Sequence, residues 1–306
     1  MKATILKKMA KKVIKNPKRI KGYVDNYLGD FNPKRININN IIKYKTFFPI
    51  WDACQIEITS FCNRDCDFCP RYSDRSGVRK NENGHKVKKQ MPSEKVYDII
   101  NELEKIGYRG KLRFGRLSEA LYDDRYVEFA NYARSKDLYL KEFSNGDPLK
   151  KNLKLCAELD GVLQEIVIGL YDCKDENEIC EQKKWFIQKF KKTKVSFSIP
   201  QKNCLFRQGS KVYVDYADKK KDVALLNPCL SYEKRYLLIR YDGEISLCCE
   251  DDSCSFKVGN VFLQSIAEIW WSNRHRKIIH DIRKKGGKMK YKRCRECYVE
   301  MEGFNL

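Results

Sequence analysis

The chain of 306 residues is long enough for one large domain, or a large one and a small one, and its 42% hydrophobic content can bury a core. That composition excludes a disordered or fibrous chain. The net charge of +21 admits an acidic substrate, an anionic membrane surface or nucleic acid as partner, but no helix-turn-helix, zinc-finger or RNA-recognition signature accompanies it, so no sequence-specific nucleic-acid reader is expected.

The charge is uneven. Residues 1–50 hold 13 Lys or Arg against Asp25 and Asp30 alone. Solvated Lys-rich faces explain this, and so does a basic patch for an anionic partner. The opening stretch, MKATILKKMAKKVIKNPKRIKGY, lacks the apolar run and small-residue cleavage site of a signal peptide. No run approaches the roughly 18 apolar residues of a membrane span. A cytoplasmic protein is therefore expected. In that reducing compartment the 14 cysteines read as metal ligands, catalytic thiols or small core residues rather than disulfides.

In chain order, residues 1–50 read as a basic, partly helical extension. CQIEITSF (54–61) is strand-like and leads into the first cysteines. MPSEKVYDIINELEKIG (91–107) has helical apolar spacing, with Ser93 as its N-cap. KLRFG (111–115) predicts a strand, 125–137 a helix, 138–146 a strand and turn, and 149–160 a helix. LQEIVIGL (163–170) predicts a strand, 176–192 a helix, and VSFSIP (195–200) a strand. Strands that alternate with helices predict a parallel sheet with crossover connections. The fold class is α/β, and chemistry belongs at the C-terminal strand ends.

The pattern changes near residue 205. YLLIRYDGEISLCCE (236–250) predicts a hairpin turning at Asp242-Gly243. SIAEIWWSNRHRKIIHDIRKK (265–285) predicts a helix, and a cysteine pair follows in KRCRECY. The chain thus divides into a 1–50 extension, a 51–210 α/β domain and a 211–306 cysteine-ligated domain.

Cys62-x3-Cys66-x2-Cys69 places three thiols within eight residues. Such a loop can wrap one cuboidal iron–sulfur cluster, one thiolate per iron. The fourth iron then has no nearby protein ligand, which is the open position a catalytic metal needs. A zinc loop would more often show paired C-x2-C units or nearby histidines. His85, His275 and His280, the chain's three, lie far from one another or from the loop.

CNRDCDFC (62–69) resembles the C-x3-C-x-aromatic-C motif of the radical S-adenosylmethionine superfamily. The resemblance implies a partial (β/α)6 TIM-like barrel. It also implies a [4Fe–4S] cluster on Cys62, Cys66 and Cys69 whose open iron chelates S-adenosylmethionine. Cleavage of the sulfonium then yields a 5′-deoxyadenosyl radical. Phe68 would lie by the adenine. FGRLSEAL (114–121) stands where the family has Gly-Gly-Glu-Pro. Glu119 keeps the acid that binds the ammonium group, while Ser118 and Ala120 replace glycine and proline, leaving a backbone contact at 118. FSNG (143–146) resembles the Thr-Asn-Gly at the third strand end, which points to Ser144 and Asn145. IGLYD (168–172) resembles the fourth-strand segment, with Gly169 in place of a ribose-contacting serine. FRQG (206–209) resembles Asn-Arg-x-Gly, which assigns Arg207 to a carboxylate.

Among the later cysteines, Cys229, Cys248, Cys294 and Cys297 can fully ligate a second [4Fe–4S] cluster, closed to substrate and suited to electron transfer. Zinc is the alternative occupant. Their spacing resembles the Twitch form of the SPASM domain, and Gly243-x4-Cys248 selects Cys248 over Cys249.

Two clusters and S-adenosylmethionine are therefore the expected cofactors. The layout is most similar to that of aminocyclitol (2-deoxy-scyllo-inosamine) dehydrogenases. That likeness implies oxidation of a secondary alcohol on a sugar, cyclitol or carrier-linked conjugate, with the second cluster taking an electron. A flavodoxin or ferredoxin would be the reducing partner. Peptide modification is the alternative within the family; a non-catalytic, metal-bound nucleic-acid-binding protein is the alternative outside it. No catalytic residue is singled out. Glu142 and Tyr171, near strand ends, are the candidates for a general base.

Overall fold

The computed structural model describes residues 51–66, 69, 88–199, 229, 236–249, 251, 253–295 and 297. The predicted roles of residues 1–50, Phe68 and Arg207 lie outside them.

Seven strands form one sheet. They are β1 (Ala53–Ile56), β2 (Lys111–Arg113), β3 (Tyr139–Ser144), β4 (Glu165–Gly169), β5 (Lys194–Ser198), β6 (Tyr236–Ile239) and β7 (Ile245–Ser246). The order is β5-β4-β3-β2-β1-β6-β7. Every pairing is parallel except β6 with β7. Helices α1 (Ser93–Lys105), α2 (Tyr126–Ser135), α3 (Asp147–Lys151), α4 (Leu153–Leu159) and α5 (Glu176–Lys189) connect the first five strands. This is the α/β architecture of a partial TIM-like barrel. After the β6–β7 hairpin come α6 (Ile266–Trp271), α7 (Asn273–Ile282) and α8 (Lys292–Arg295).

The periodicities explain the packing. In α1, Val96, Ile99, Ile100 and Leu103 are buried at helical spacing. All five residues of β4 are buried, as befits a parallel strand covered on both sides. Cys54, Ile56, Leu112, Leu140, Ile166 and Ile168 face the helices in one hydrophobic core. Each such aliphatic side chain contributes about 1.5–3 kcal/mol on burial.

The same core continues into the C-terminal part. Trp51 packs edge-on against Trp270 of α6, with ring centroids 5.0 Å apart. The Ile266 N–H donates to Glu102 of α1 at 2.6 Å. Strand β6 pairs with β1 in register, Cys54 opposite Leu237, so the hairpin extends the barrel sheet.

Four elements depart from the sequence expectation, the first being the predicted 149–160 helix, which is two helices, α3 and α4, broken at the extended Asn152. The first strand ends at Ile56, although Glu57 N–H still donates to Ile239 of β6 and Ile58 N–H to Phe114 just beyond β2, so the backbone stays held between the same two neighbours. Helix α1 begins at Ser93 after Pro92, and the Ser93 hydroxyl accepts from Arg125 instead of capping the helix. The predicted 265–285 helix is two helices, because the Ser272 side chain accepts from His275 N–H and starts α7 afresh.

Candidate active site

The thiol loop leaves the C-terminal end of β1. The Glu119 N–H donates to Phe61 C=O at 2.8 Å, and Cys69 N–H donates to Cys66 C=O at 3.0 Å. Burial pushes the Cys66 thiol up to about 12, and the neighbouring Cys69 and Cys62 add to that shift. The three thiols therefore lie near one another.

Two loop residues anchor it. Arg64 donates from Nε and Nη2 to the two oxygens of Asp147, each at 2.7 Å. Its Nη1 lies 2.7 Å from Asp172 Oδ2. Asn63 Nδ2 also donates to Asp147, at 2.6 Å. The Arg64 guanidinium holds the Asp147 carboxyl below the usual range. Asp147 follows β3 and Asp172 follows β4, so the loop is pinned across two further strand ends. Sequence reading missed Asn63, Arg64, Asp147 and Asp172. The only local signal was the motif's own neighbourhood, since charge pairing at such separations leaves no periodic trace.

Glu119 follows β2 and is buried. Its Oε2 accepts from Asn145 N–H at 2.7 Å. Its Oε1 is buried with no hydrogen-bond partner among the described residues. Burial pushes this acid up to about 8, against the pull of the Asn145 N–H and then the Ser144 hydroxyl. Asn145 Nδ2 donates to Asn63 Oδ1 at 2.8 Å and lies 4.0 Å from Cys62 Sγ. Ser144 Oγ accepts from Gly146 N–H. Ser118 Oγ, like Glu119 Oε1, is buried without a partner among the described residues. Glu119, Ser144 and Asn145 thus gather against the thiol loop.

Glu142 lies on the helix-facing side of β3. It accepts from Phe114 N–H at 2.8 Å, Phe143 N–H at 2.9 Å and Tyr126 Oη at 3.0 Å. Burial raises its pKa, against those donors. The Tyr171 ring lies across Gly169, where a Cβ would come within 2.1 Å of it. Glycine at 169 leaves the room that this ring occupies.

The opposite face of the strands carries several polar side chains beside Phe143 and Val167, which sequence reading also missed. Gln55 of β1 is in register with Arg113 of β2. The Arg113 guanidinium stacks over Phe143 at 4.6 Å. Lys141 and Ser196 both donate to Glu165 Oε1 at 3.0 Å.

In the C-terminal part, burial raises the Cys248 thiol well above its usual value, with Cys249, Asp251, Cys297 and Cys229 adding to it. Burial likewise pushes Cys294 up to about 12, with Cys229 and Cys297 adding to it. Cys229, Cys248, Cys294 and Cys297 therefore lie near one another, with Cys249 beside Cys248. Among the described residues, no three His, Cys, Asp or Glu are drawn in tightly enough to hold one metal ion. Arg116 bridges the two regions: its Nη1 donates to Ser246 Oγ at 2.7 Å and its Nη2 to Asp251 C=O at 3.0 Å.

Comparison with known proteins agrees with this geometry. The radical SAM superfamily model matches residues 56–196, and SPASM, an iron–sulfur cluster-binding domain, matches residues 229–298. No curated protein sequence matches the chain. Among solved structures, BtrN in complex with AdoMet and 2-DOIA is 17% identical, with a TM-score of 0.61 over 81% of this chain and 92% of that one. BtrN in an open conformation is 16% identical, with a TM-score of 0.56 over 82% and 94%. These likenesses concern the fold. The orphaned Glu119 oxygen fits the ammonium group of S-adenosylmethionine, and the two thiol groups fit a [4Fe–4S] cluster and an auxiliary one. Among the described residues no helix is long and apolar enough to cross a membrane. The chain joins a radical SAM domain to a SPASM iron–sulfur cluster-binding domain.

Proposed function

We propose that the protein oxidises a secondary alcohol on a polar small molecule: a sugar, a cyclitol or a carrier-linked conjugate. The observation that carries the reading is the second group of four thiols, Cys229, Cys248, Cys294 and Cys297. Four thiolates complete the ligation of one [4Fe–4S] cluster and leave no position for substrate, which suits an electron acceptor. The bound cofactors would supply the 5′-deoxyadenosyl radical that takes the carbinol hydrogen and a sink for the electron released as the ketone forms.

The protein's own residues have separable tasks. Cys62, Cys66 and Cys69 hold the first cluster, and Arg64 with Asn63 fixes their loop. Glu119 Oε1 accepts from the methionyl ammonium, with Ser144 and Asn145 holding that carboxylate in place. The backbone at Ser118 completes this contact, while Phe68 and Arg207 serve the adenine and a carboxylate. The polar strand face of Gln55, Arg113, Lys141, Glu165 and Ser196 favours a hydroxyl-rich substrate over an apolar one. Tyr171 is the remaining candidate for acceptor of the hydroxyl proton; Glu142 does not serve, because it is buried on the helix-facing side of β3 with three donors already on its oxygens. The working boundaries are 51–210 for radical generation and 211–306 for the auxiliary cluster. A flavodoxin or ferredoxin supplies the reducing electron, and the cytoplasm is the compartment that suits both thiol groups.

Anaerobic turnover with a panel of aminocyclitols and sugars tests this. One 5′-deoxyadenosine per ketone is the expected result. A product at an unchanged oxidation level would sink the reading.

A further inference from the structure

The chain's positive charge sits in two places. Residues 273–295 hold 11 Lys or Arg against Asp281 alone, a net +10 of the total +21. Residues 1–50 hold a net +11, and the rest of the chain balances with 38 residues of each sign. The 273–295 segment runs through α7 and α8, and α8 itself carries Cys294 of the second thiol group. Most of its cations point outward: Arg274, Arg276, Lys277, Lys284, Lys285 and Lys292 are exposed, while Lys288 is buried. A pocket of about 350 Å³ opens in this surface. Among the described residues Arg274, Lys277, Lys290, Lys292 and Arg293 line it, Lys290 pairing with Asp281 at 2.9 Å, and the tilted rings of Phe256 and Tyr291, 5.3 Å apart, form its wall. Met289, 44% exposed, adds an apolar spot among the charges.

We infer that this surface docks an acidic one-electron carrier protein, of the iron–sulfur or flavin class, over the auxiliary cluster. The inference rests on the proposed function above. Oxidation of the alcohol removes one hydrogen atom, one proton and one further electron. That last electron reduces the auxiliary cluster, and the oxidised carrier takes it up, restoring the cluster and becoming reduced by one electron. A basic face concentrates an acidic partner by long-range attraction. Such carriers bind through small, transient interfaces. Nucleic acid and anionic membranes also seek positive charge, but neither has use for a thiol cluster on the docking helix.

The test uses the anaerobically reconstituted holoenzyme and an acidic [2Fe–2S] ferredoxin. Its affinity is measured by interferometry across rising sodium chloride. Binding is expected to weaken steeply with salt. The double reversal R276E/K277E, on the exposed side of α7, should weaken it about tenfold and flatten the salt dependence. K284E/K285E should do the same, and K184E on α5 should not. Salt-independent binding, or affinity unchanged in both doubles, overturns the proposal. So does a result in which the doubles lose a DNA duplex or phosphatidylserine vesicles while ferredoxin binding persists. Iron content and the second cluster's paramagnetic signal are read on the same samples; their absence means the two-cluster reading itself has failed.

Discussion

Arg64 and Asp147 meet as a two-pronged ion pair, Nε to Oδ2 and Nη2 to Oδ1, both at 2.7 Å, across 83 residues of sequence. The fork fixes the plane of the guanidinium as well as its position. Because Arg64 stands between Cys62 and Cys66, the pair sets the path of the thiol loop. Arg64 also reaches Asp172, so one side chain ties together the ends of β1, β3 and β4.

Removing that fork should loosen the cluster while the fold survives. R64A and D147A are each expected to lower activity about 10–100-fold, the usual cost of removing a group that orients a metal ligand, and to move iron from about eight towards about four per chain. R64K keeps the charge but loses the fork, and should fall between R64A and the wild type. Iron analysis after anaerobic desalting, beside circular dichroism, checks this. Full iron retention in R64A would show that the loop holds itself.

Glu119 makes a prediction about pH. A free glutamate titrates near 4.5 and burial pushes this one up to about 8. The folded protein therefore keeps a proton there that the unfolded chain releases. Its contribution to stability is full below about 4.5 and is lost as pH rises through about 8. Ligand binding has the opposite sense, because an ammonium needs the ionised carboxylate. The thermal shift produced by S-adenosylmethionine should grow as pH rises towards 8 in the wild type. It should be small and flat in E119Q. A pH-independent shift in the wild type would contradict this.

Arg116 predicts communication between the two thiol groups. It sits three residues before Glu119, yet its guanidinium bonds Ser246 and the Asp251 carbonyl in the loop that follows Cys248. R116A is expected to cost about 1.5–3 kcal/mol of stability, typical of lost hydrogen bonds to a charged group. It should also shift the midpoint of the auxiliary cluster in a redox titration while leaving the signal of the first cluster in place. An unshifted midpoint would reduce Arg116 to a packing role.

The two adjacent cysteines should separate cleanly. C248S is expected to drop iron from about eight to about four per chain, the content of one [4Fe–4S] cluster. C249S should keep about eight, by the same count. The reverse pattern would move the ligand to Cys249.

Much of this was legible in local sequence. The spacing of Cys62, Cys66 and Cys69, the placement of Glu119 after β2, and the alternation of β1 to β5 with helices all depend on near neighbours and short periods. Three kinds of feature were not legible. The Arg64–Asp147–Asp172 anchor joins residues from three separate loops. The polar strand face of Gln55, Arg113, Lys141 and Glu165 mixes with buried residues on short strands, where alternation has too few repeats to stand out. The break at Ser272 interrupts an apolar pattern that suits a helix throughout, because one hydroxyl accepting from His275 N–H outweighs continuity there.

The parallel pairing of β1 with β6 has a consequence for how the molecule comes into being. Until residue 236 has left the ribosome, β1 has a partner on one side only. Its free edge is then an open template for another chain. A fragment cut before β6 would carry that edge permanently and should aggregate during expression. The thiol loop hangs from the same strand, so iron loading is expected to follow completion of the chain, after the last-made hairpin has sealed the first-made strand.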